Sequence, residues 1–339
     1  MTKNVIRLFS GLALSVMAGV YGCSSDDSLG DGPTTNANPT NEIEPSDAGA
    51  EAQADAPLGG ETVDPFACPG STITPGLNEA FDVGGNARKL YADFPKDTSK
   101  PMAVIFSWHG FGGSAENFRK AAAFDPDGDP AVPAVIITPE DTGLFPPKGL
   151  DWDIAKGTPA DPNVDLAFFE AIVGCLSKQQ KIDASRIYSF GFSAGSVMTN
   201  LLHSRYPKVI AAIVTESGAW MNDKAERDIV NFPGGVDWNW PELDPADRGN
   251  VLLTHGGPED VTDFNVLDLE KSAQLALPFL KEAKRTVLDC AHTNGHKLHP
   301  DVTPAVIRQY LFAHRAGEPS PYQGGAAPGY PGSCTLRLP

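Results

Sequence analysis

Gly191-Phe192-Ser193-Ala194-Gly195 stands between a strand-like run, Arg186 to Phe190, and a helix-like run, Ser196 to Leu202. No other feature constrains the chain as much. A serine on a tight strand-to-helix turn projects its hydroxyl above a sheet, and the positions two before and two after it must be small to avoid collision across the turn. Both are glycine. The helix that follows would aim its free N–H groups at negative charge forming beside Ser193. The pattern points to a nucleophilic serine in acyl transfer rather than to a serine that merely shapes a turn.

The surrounding pattern supplies the frame such a turn needs. Met102 to Phe106, Ala134 to Ile137, Val209 to Val214, Val251 to Thr254 and Thr286 to Leu288 read as strands, and Arg88 to Phe94 as an edge strand. Helical stretches fall near Ala115 to Ala122, Asn163 to Lys178, Asn265 to Ala283 and Pro304 to Ala313. Strands separated by helices imply right-handed crossovers and a mostly parallel α/β sheet with helices on both faces. Gly317 to Gly332, dense in Pro and Gly, should wrap the surface without regular structure.

Lys3 and Arg7 precede an apolar run from Leu8 to Val20 that is too short to span a bilayer and suits a secretory signal over residues 1–22. Val20-Tyr21-Gly22-Cys23 resembles a bacterial lipobox, which would make Cys23 a lipidated N-terminus; an ordinary signal peptidase site nearby is the alternative. Residues 23–64 form an acidic tether expected to be disordered, because Ser24 to Asp64 contains no Lys, Arg or aromatic residue and ten acids. As a flexible coil it would hold a domain about 35 Å from its anchor. The chain is thus expected to be exported, as an outer-membrane or cell-surface lipoprotein or in secreted form. Its formal charge of −17 argues against nucleic acid as a partner. A monomer is expected.

Residues 65–339 are long enough for one large α/β domain. Cys68, Cys175, Cys290 and Cys334 form an even set in an exported chain, so two disulfides are expected. Cys175 and Cys290 should not pair, since the topology sends them to opposite edges of the sheet. There is no C-x-x-C pair, and Asp125 to Asp129 lacks the spacing of a calcium loop; neither metal nor organic cofactor is expected.

A serine hydroxyl needs a histidine base and a carboxylate to hold that base in the right tautomer. His296, after Gly295 in the loop between the last strand and the last helix, suits the base, with His292 and His299 as alternatives. For the acid, Asp260 in the turn after Val251 to Thr254 is preferred to Glu259, with Asp263 third. The oxyanion donors are assigned to the N–H of Ala194 and, from the loop His109-Gly110-Phe111-Gly112-Gly113, to that of Phe111, with Gly112 as fallback.

These pieces, H-G-F-G-G, G-F-S-A-G, the H-G-x-x-x-D turn and the C-x-H-x-x-G-H loop, together resemble the polyhydroxybutyrate depolymerase and feruloyl esterase branch of the α/β-hydrolases, over nearly all of the chain from Pro65 onward. The positions of Trp152 and Asp165 look typical of that branch, whereas the spacing from His255 to the acid is one residue longer than its commonest form. The resemblance implies the α/β-hydrolase fold and hydrolysis of a carboxylic ester, possible substrates being polyester, feruloyl or acetyl-polysaccharide, without a cofactor. An inactive surface binding lipoprotein on the same fold, or a serine peptidase, are the alternatives. An insertion, Ser217 to Asn250, carries Trp220, Phe232, Trp238 and Trp240 where the fold often bears a cap. Trp152, Trp238 and Trp240 are accordingly expected to contact substrate, against the alternative that they pin a loop to the core.

Overall fold

Val104 and Phe106 pack into one hydrophobic core and Ala103 and Ile105 into another, all four fully buried. A strand apolar on both faces must be covered twice, and the architecture follows from that requirement. The computed structural model describes residues 66–143, 151–155, 162–230, 236, 238–262 and 266–339; the expected signal, Cys23, the tether up to Asp64, Phe232 and Asp263 lie outside the described residues.

In chain order the strands are β1 (Gly76–Val83), β2 (Asn86–Asp93), β3 (Met102–Trp108), β4 (Ala134–Pro139), β5 (Ile182–Phe192), β6 (Ile210–Glu216), β7 (Asn250–His255), β8 (Thr286–Ala291) and β9 (Cys334–Arg337). They form one sheet in the order β1-β2-β4-β3-β5-β6-β7-β8-β9. From β4 to β8 the neighbours are parallel, while β1, β2 and β9 join antiparallel at the two edges. Helices α2 (Val164–Gln179), α3 (Ala194–Arg205) and α5 (Leu269–Glu282) supply residues to the core of Val104. Helices α1 (Ala115–Ala122) and α6 (Pro304–Phe312) supply the core of Ile105.

The expected α/β sheet is present, with two corrections at its margins. The strand around Arg88 to Phe94 is second from the edge, because β1 pairs outside it. At the other margin Gly317 to Gly332, expected to be irregular, holds a single 3-10 turn at Pro321–Gly324, and past it β9, which the sequence reading did not include, adds a short strand to β8 with Cys290 opposite Cys334. Cys290 pairs with Cys334 and Cys68 with Cys175, which accords with the exclusion of a Cys175–Cys290 bond.

The Ser217 to Asn250 insertion contains α4 (Lys224–Ile229). Trp220, Met221, Trp240 and Leu243 are buried in the core of Val104, and Trp238 is half-buried against it.

Candidate active site

Ser193 follows β5 and serves as the N-cap of α3, with φ 56° and ψ −122°. A non-glycine residue there is strained, and strain of this kind persists only where the surroundings enforce it. The neighbours do so by close approach: a Cβ on Gly191 would overlap the carbonyl of Gly195, and one on Gly195 would overlap the carbonyl of Trp108 at the end of β3. A capping serine normally turns its hydroxyl onto its own helix. Ser193 makes no such bond. Its Oγ is instead 2.9 Å from His296 Nε2.

His296 lies in the loop between β8 and α6, with Nδ1 2.8 Å from Asp260 Oδ1. An ionised carboxylate only accepts, so Nδ1 carries the proton and Nε2 is left to accept from the serine hydroxyl. The Phe192 ring stacks on His296 with centroids 4.8 Å apart, which limits rotation of the imidazole. Asp260 is fully buried, and its second oxygen accepts from Ser217 Oγ at 2.8 Å and from the Gly256 N–H at 2.7 Å. Glu259 is exposed. His299 is buried, with Nδ1 accepting from the Asp301 and Val302 N–H groups, and the Nδ1 of half-buried His292 accepts from the Asn294 N–H. Of the residues proposed from sequence, the structure brings together Ser193, His296 and Asp260.

Glu216 ends β6 beneath this group. Its backbone carbonyl accepts from the Ser193 N–H at 2.9 Å, and its fully buried side chain accepts from the His299 N–H, also at 2.9 Å. Burial pushes the Glu216 carboxyl up to about 8, against the smaller opposing effect of the His299 N–H, so it is neutral at pH 7.

The glycine loop after β3 sits against the serine: a Cβ on Gly110 would lie 3.1 Å from Ser193 Cβ. Within the loop the Gly113 N–H donates to Gly110 O at 3.0 Å and the Gly112 N–H donates to Asp151 Oδ2 at 2.6 Å. The Gly112 N–H, the fallback oxyanion donor, is thereby already engaged, and the Phe111 side chain beside it is exposed. The Ala194 N–H opens α3, where no carbonyl one turn earlier can bond it.

Residues 101–230 match the family model described as esterase PHB depolymerase. This segment, well under half of the chain, is similar to that family. It contains β3, the glycine loop, the serine turn and α3, while Asp260 and His296 follow it in the chain. Feruloyl esterase D of Neurospora crassa is 27% identical over 161 residues, 45% of this chain and 53% of that protein. Oxidized polyvinyl alcohol hydrolase of a Sphingopyxis species is 24% identical over 303 residues, 75% of this chain and 82% of that protein. The chain spans between 35% and 53% of the length of the first curated relatives it matches. The crystal structure of native sOPH superposes with a TM-score of 0.63 at 19% identity, covering 80% of this chain and 97% of the other. The fold is that of the α/β-hydrolases.

Two tryptophans expected to meet substrate are placed otherwise, one inside and one beyond the matched segment. Trp152 is fully buried, with its indole N–H donating to His109 O at 2.9 Å. Trp240 is buried as well, and its indole N–H donates to Ile154 O at 2.7 Å. A buried indole needs an acceptor, and irregular backbone offers carbonyls that strands have already committed. Trp238 is half-buried against the same core. The Trp152 and Trp240 rings serve as packing elements.

Among the described residues one group has donor atoms close enough for a metal: those of His109, Glu140 and Asp141 lie within 4.8 Å of one another. Glu140 accepts from the Ala115 N–H, and His109 donates from Nδ1 to Gly110 O while Nε2 faces Asp141 Oδ2 at 3.4 Å. Burial alone would lower the His109 pKa, but the interactions with Asp141 and the Gly110 carbonyl outweigh it and raise the pKa.

Proposed function

We propose that this chain is an exported serine esterase that hydrolyses carboxylic esters through an acyl-enzyme. The observation that carries the reading is the unbroken chain Asp260, His296, Ser193, with bonds of 2.8 and 2.9 Å, ending on a hydroxyl held on a strained turn. His296 Nε2 takes the proton as Ser193 Oγ attacks the ester carbonyl, and the oxyanion is met by the N–H groups of Phe111 and Ala194. His296 returns the proton to the departing alkoxide, which leaves as the alcohol. Water then attacks the acyl-enzyme, giving its proton to His296, and Ser193 recovers it as the acid is released. Asp260 holds the imidazole and stabilises its cationic form without itself being protonated. No step requires a cofactor.

The family match and the likeness to a feruloyl esterase support an ester as substrate, and the relative named oxidized polyvinyl alcohol hydrolase keeps a polymeric substrate in view. Two disulfides suit an oxidising compartment, consistent with export and with anchoring through Cys23 at a membrane. The test is a panel of para-nitrophenyl esters, feruloyl esters and polyester films with Ser193→Ala as control. Hydrolysis of at least one class, lost in the variant, is expected; an inert wild-type chain, as an inactive binding lipoprotein would be, or an equally active variant, would overturn the assignment.

A further inference from the structure

Asp151 and Trp152, consecutive in the chain, grip the glycine loop at two points. Asp151 Oδ2 accepts from the Gly112 N–H at 2.6 Å, and the Trp152 indole donates to His109 O at 2.9 Å. The two bonds hold backbone groups three residues apart, on either side of the Phe111 amide. Resting on the esterase reading above, we infer that Asp151 is a positioning residue for the oxyanion hole, the front of a strap, residues 151–155, that fixes where the Phe111 N–H points.

The backbone shows that this contact is enforced. Asp151 is only 8% exposed and has φ 64°, and Gly112 has φ 69°. Aspartate tolerates the left-handed region better than most residues, yet the conformation still costs free energy and needs support. The support lies behind it. The Asp153 N–H donates to Asp165 Oδ2 at 2.6 Å, and the other oxygen of Asp165 is ion-paired with buried Arg88 at 2.6 Å. Ile154 O is held by the Trp240 indole. A carboxylate anchored this way cannot follow a shifting loop, so the Gly112 N–H is kept on it and Phe111 is kept in register.

The role is geometric. A negative charge close to a developing oxyanion is unfavourable in itself, so what Asp151 contributes is an acceptor at a fixed place. An amide oxygen at that place would serve as well. This separates the inference from a simple structural or electrostatic effect, because Asp151→Asn keeps an acceptor and tolerates the backbone, whereas Asp151→Gly keeps the backbone and removes the acceptor.

Both variants would be measured for kcat and KM on para-nitrophenyl butyrate, and for the rate at which diethyl 4-nitrophenyl phosphate modifies Ser193. Loss of aim at one oxyanion donor predicts that Asp151→Gly lowers kcat and the phosphorylation rate by about 10- to 100-fold with KM within about threefold. Asp151→Asn should stay within about threefold of wild type in all three. Wild-type kcat in Asp151→Gly, a loss carried by KM, or an Asp151→Asn as impaired as Asp151→Gly would overturn the inference. If Asp151→Gly does not fold, Trp152→Phe decides: a lower kcat at unchanged KM supports the strap, and wild-type kcat refutes it. A wild-type chain that neither hydrolyses the ester nor takes up phosphate on Ser193 would sink the esterase reading and the strap's role together; an active wild type beside a fully active Asp151→Gly would sink the strap alone.

Discussion

Ser217 donates its hydroxyl to Asp260 Oδ2 at 2.8 Å, from a residue that itself sits at φ 51°. The serine follows β6 and the aspartate follows β7, so one strand end orients the acid presented by the next. Ser217→Ala leaves that buried oxygen with the Gly256 N–H alone, and a cost of about 1–3 kcal/mol in stability is expected. Turnover should fall about tenfold as Asp260 gains freedom. Ser217→Gly relieves the backbone while removing the same hydroxyl, so it should regain stability in chemical denaturation but not turnover. Recovery of both would show that strain, not the hydrogen bond, was at issue.

The three residues linked through His296 should behave as one unit. Ser193→Ala and His296→Ala are each expected to reduce kcat by about a thousandfold or more, and the double variant should be no worse than either. Asp260→Asn should lose nearly as much by reversing the tautomer preference of His296, while Glu259→Gln, altering an exposed side chain, should remain within about twofold. Steady-state kinetics on a short para-nitrophenyl ester checks the ranking. A severe Glu259→Gln beside a mild Asp260→Asn would move the acid role.

Much of this site was legible because its parts obey local rules. Gly191 and Gly195 are demanded by contacts within a few residues and by the end of β3, and His296 and Asp260 follow from chain order once Ser193 is recognised. Ser217 and Asp151 were not, since a polar residue after a strand or in a loop carries no sign of the group it will meet across the fold. The tryptophans misled for a related reason. Aromatic residues in a turn-rich segment resemble a substrate surface, but Trp152 and Trp240 are drawn inward by free carbonyls at His109 and Ile154. The missing strands have weak signatures: β1 is interrupted between Asn78 and Phe81, and β9 is four residues long, secured to β8 by a disulfide.

That bond closes β9 onto the sheet across 44 residues of sequence separation, enclosing the loop that carries His296 and helix α6. Removing it by Cys290→Ala with Cys334→Ala should cost about 2–5 kcal/mol by releasing the unfolded chain. Urea denaturation of the double variant checks this. Kinetics should change less than stability, because β8 is held independently by β7. An unchanged denaturation midpoint would mean that β9 adds nothing to the folded state.

Glu216 gives the pH dependence a sign. The unfolded carboxyl ionises near its ordinary value of 4.5, whereas in the fold burial holds it neutral until about pH 8. Its contribution to stability is therefore fully present below about pH 4.5, declines as pH rises toward about 8, and is level above that, the whole change being on the order of 5 kcal/mol at most. Glu216→Gln cannot ionise, yet it keeps an oxygen to accept from the His299 N–H. The variant should thus gain on wild type steadily between about pH 5 and pH 8 in urea unfolding. Turnover should be preserved, because the Ser193 N–H is held by the Glu216 backbone and not by its side chain. Parallel stability curves for the two proteins across that interval would show that the wild-type carboxyl ionises at its ordinary value despite its burial.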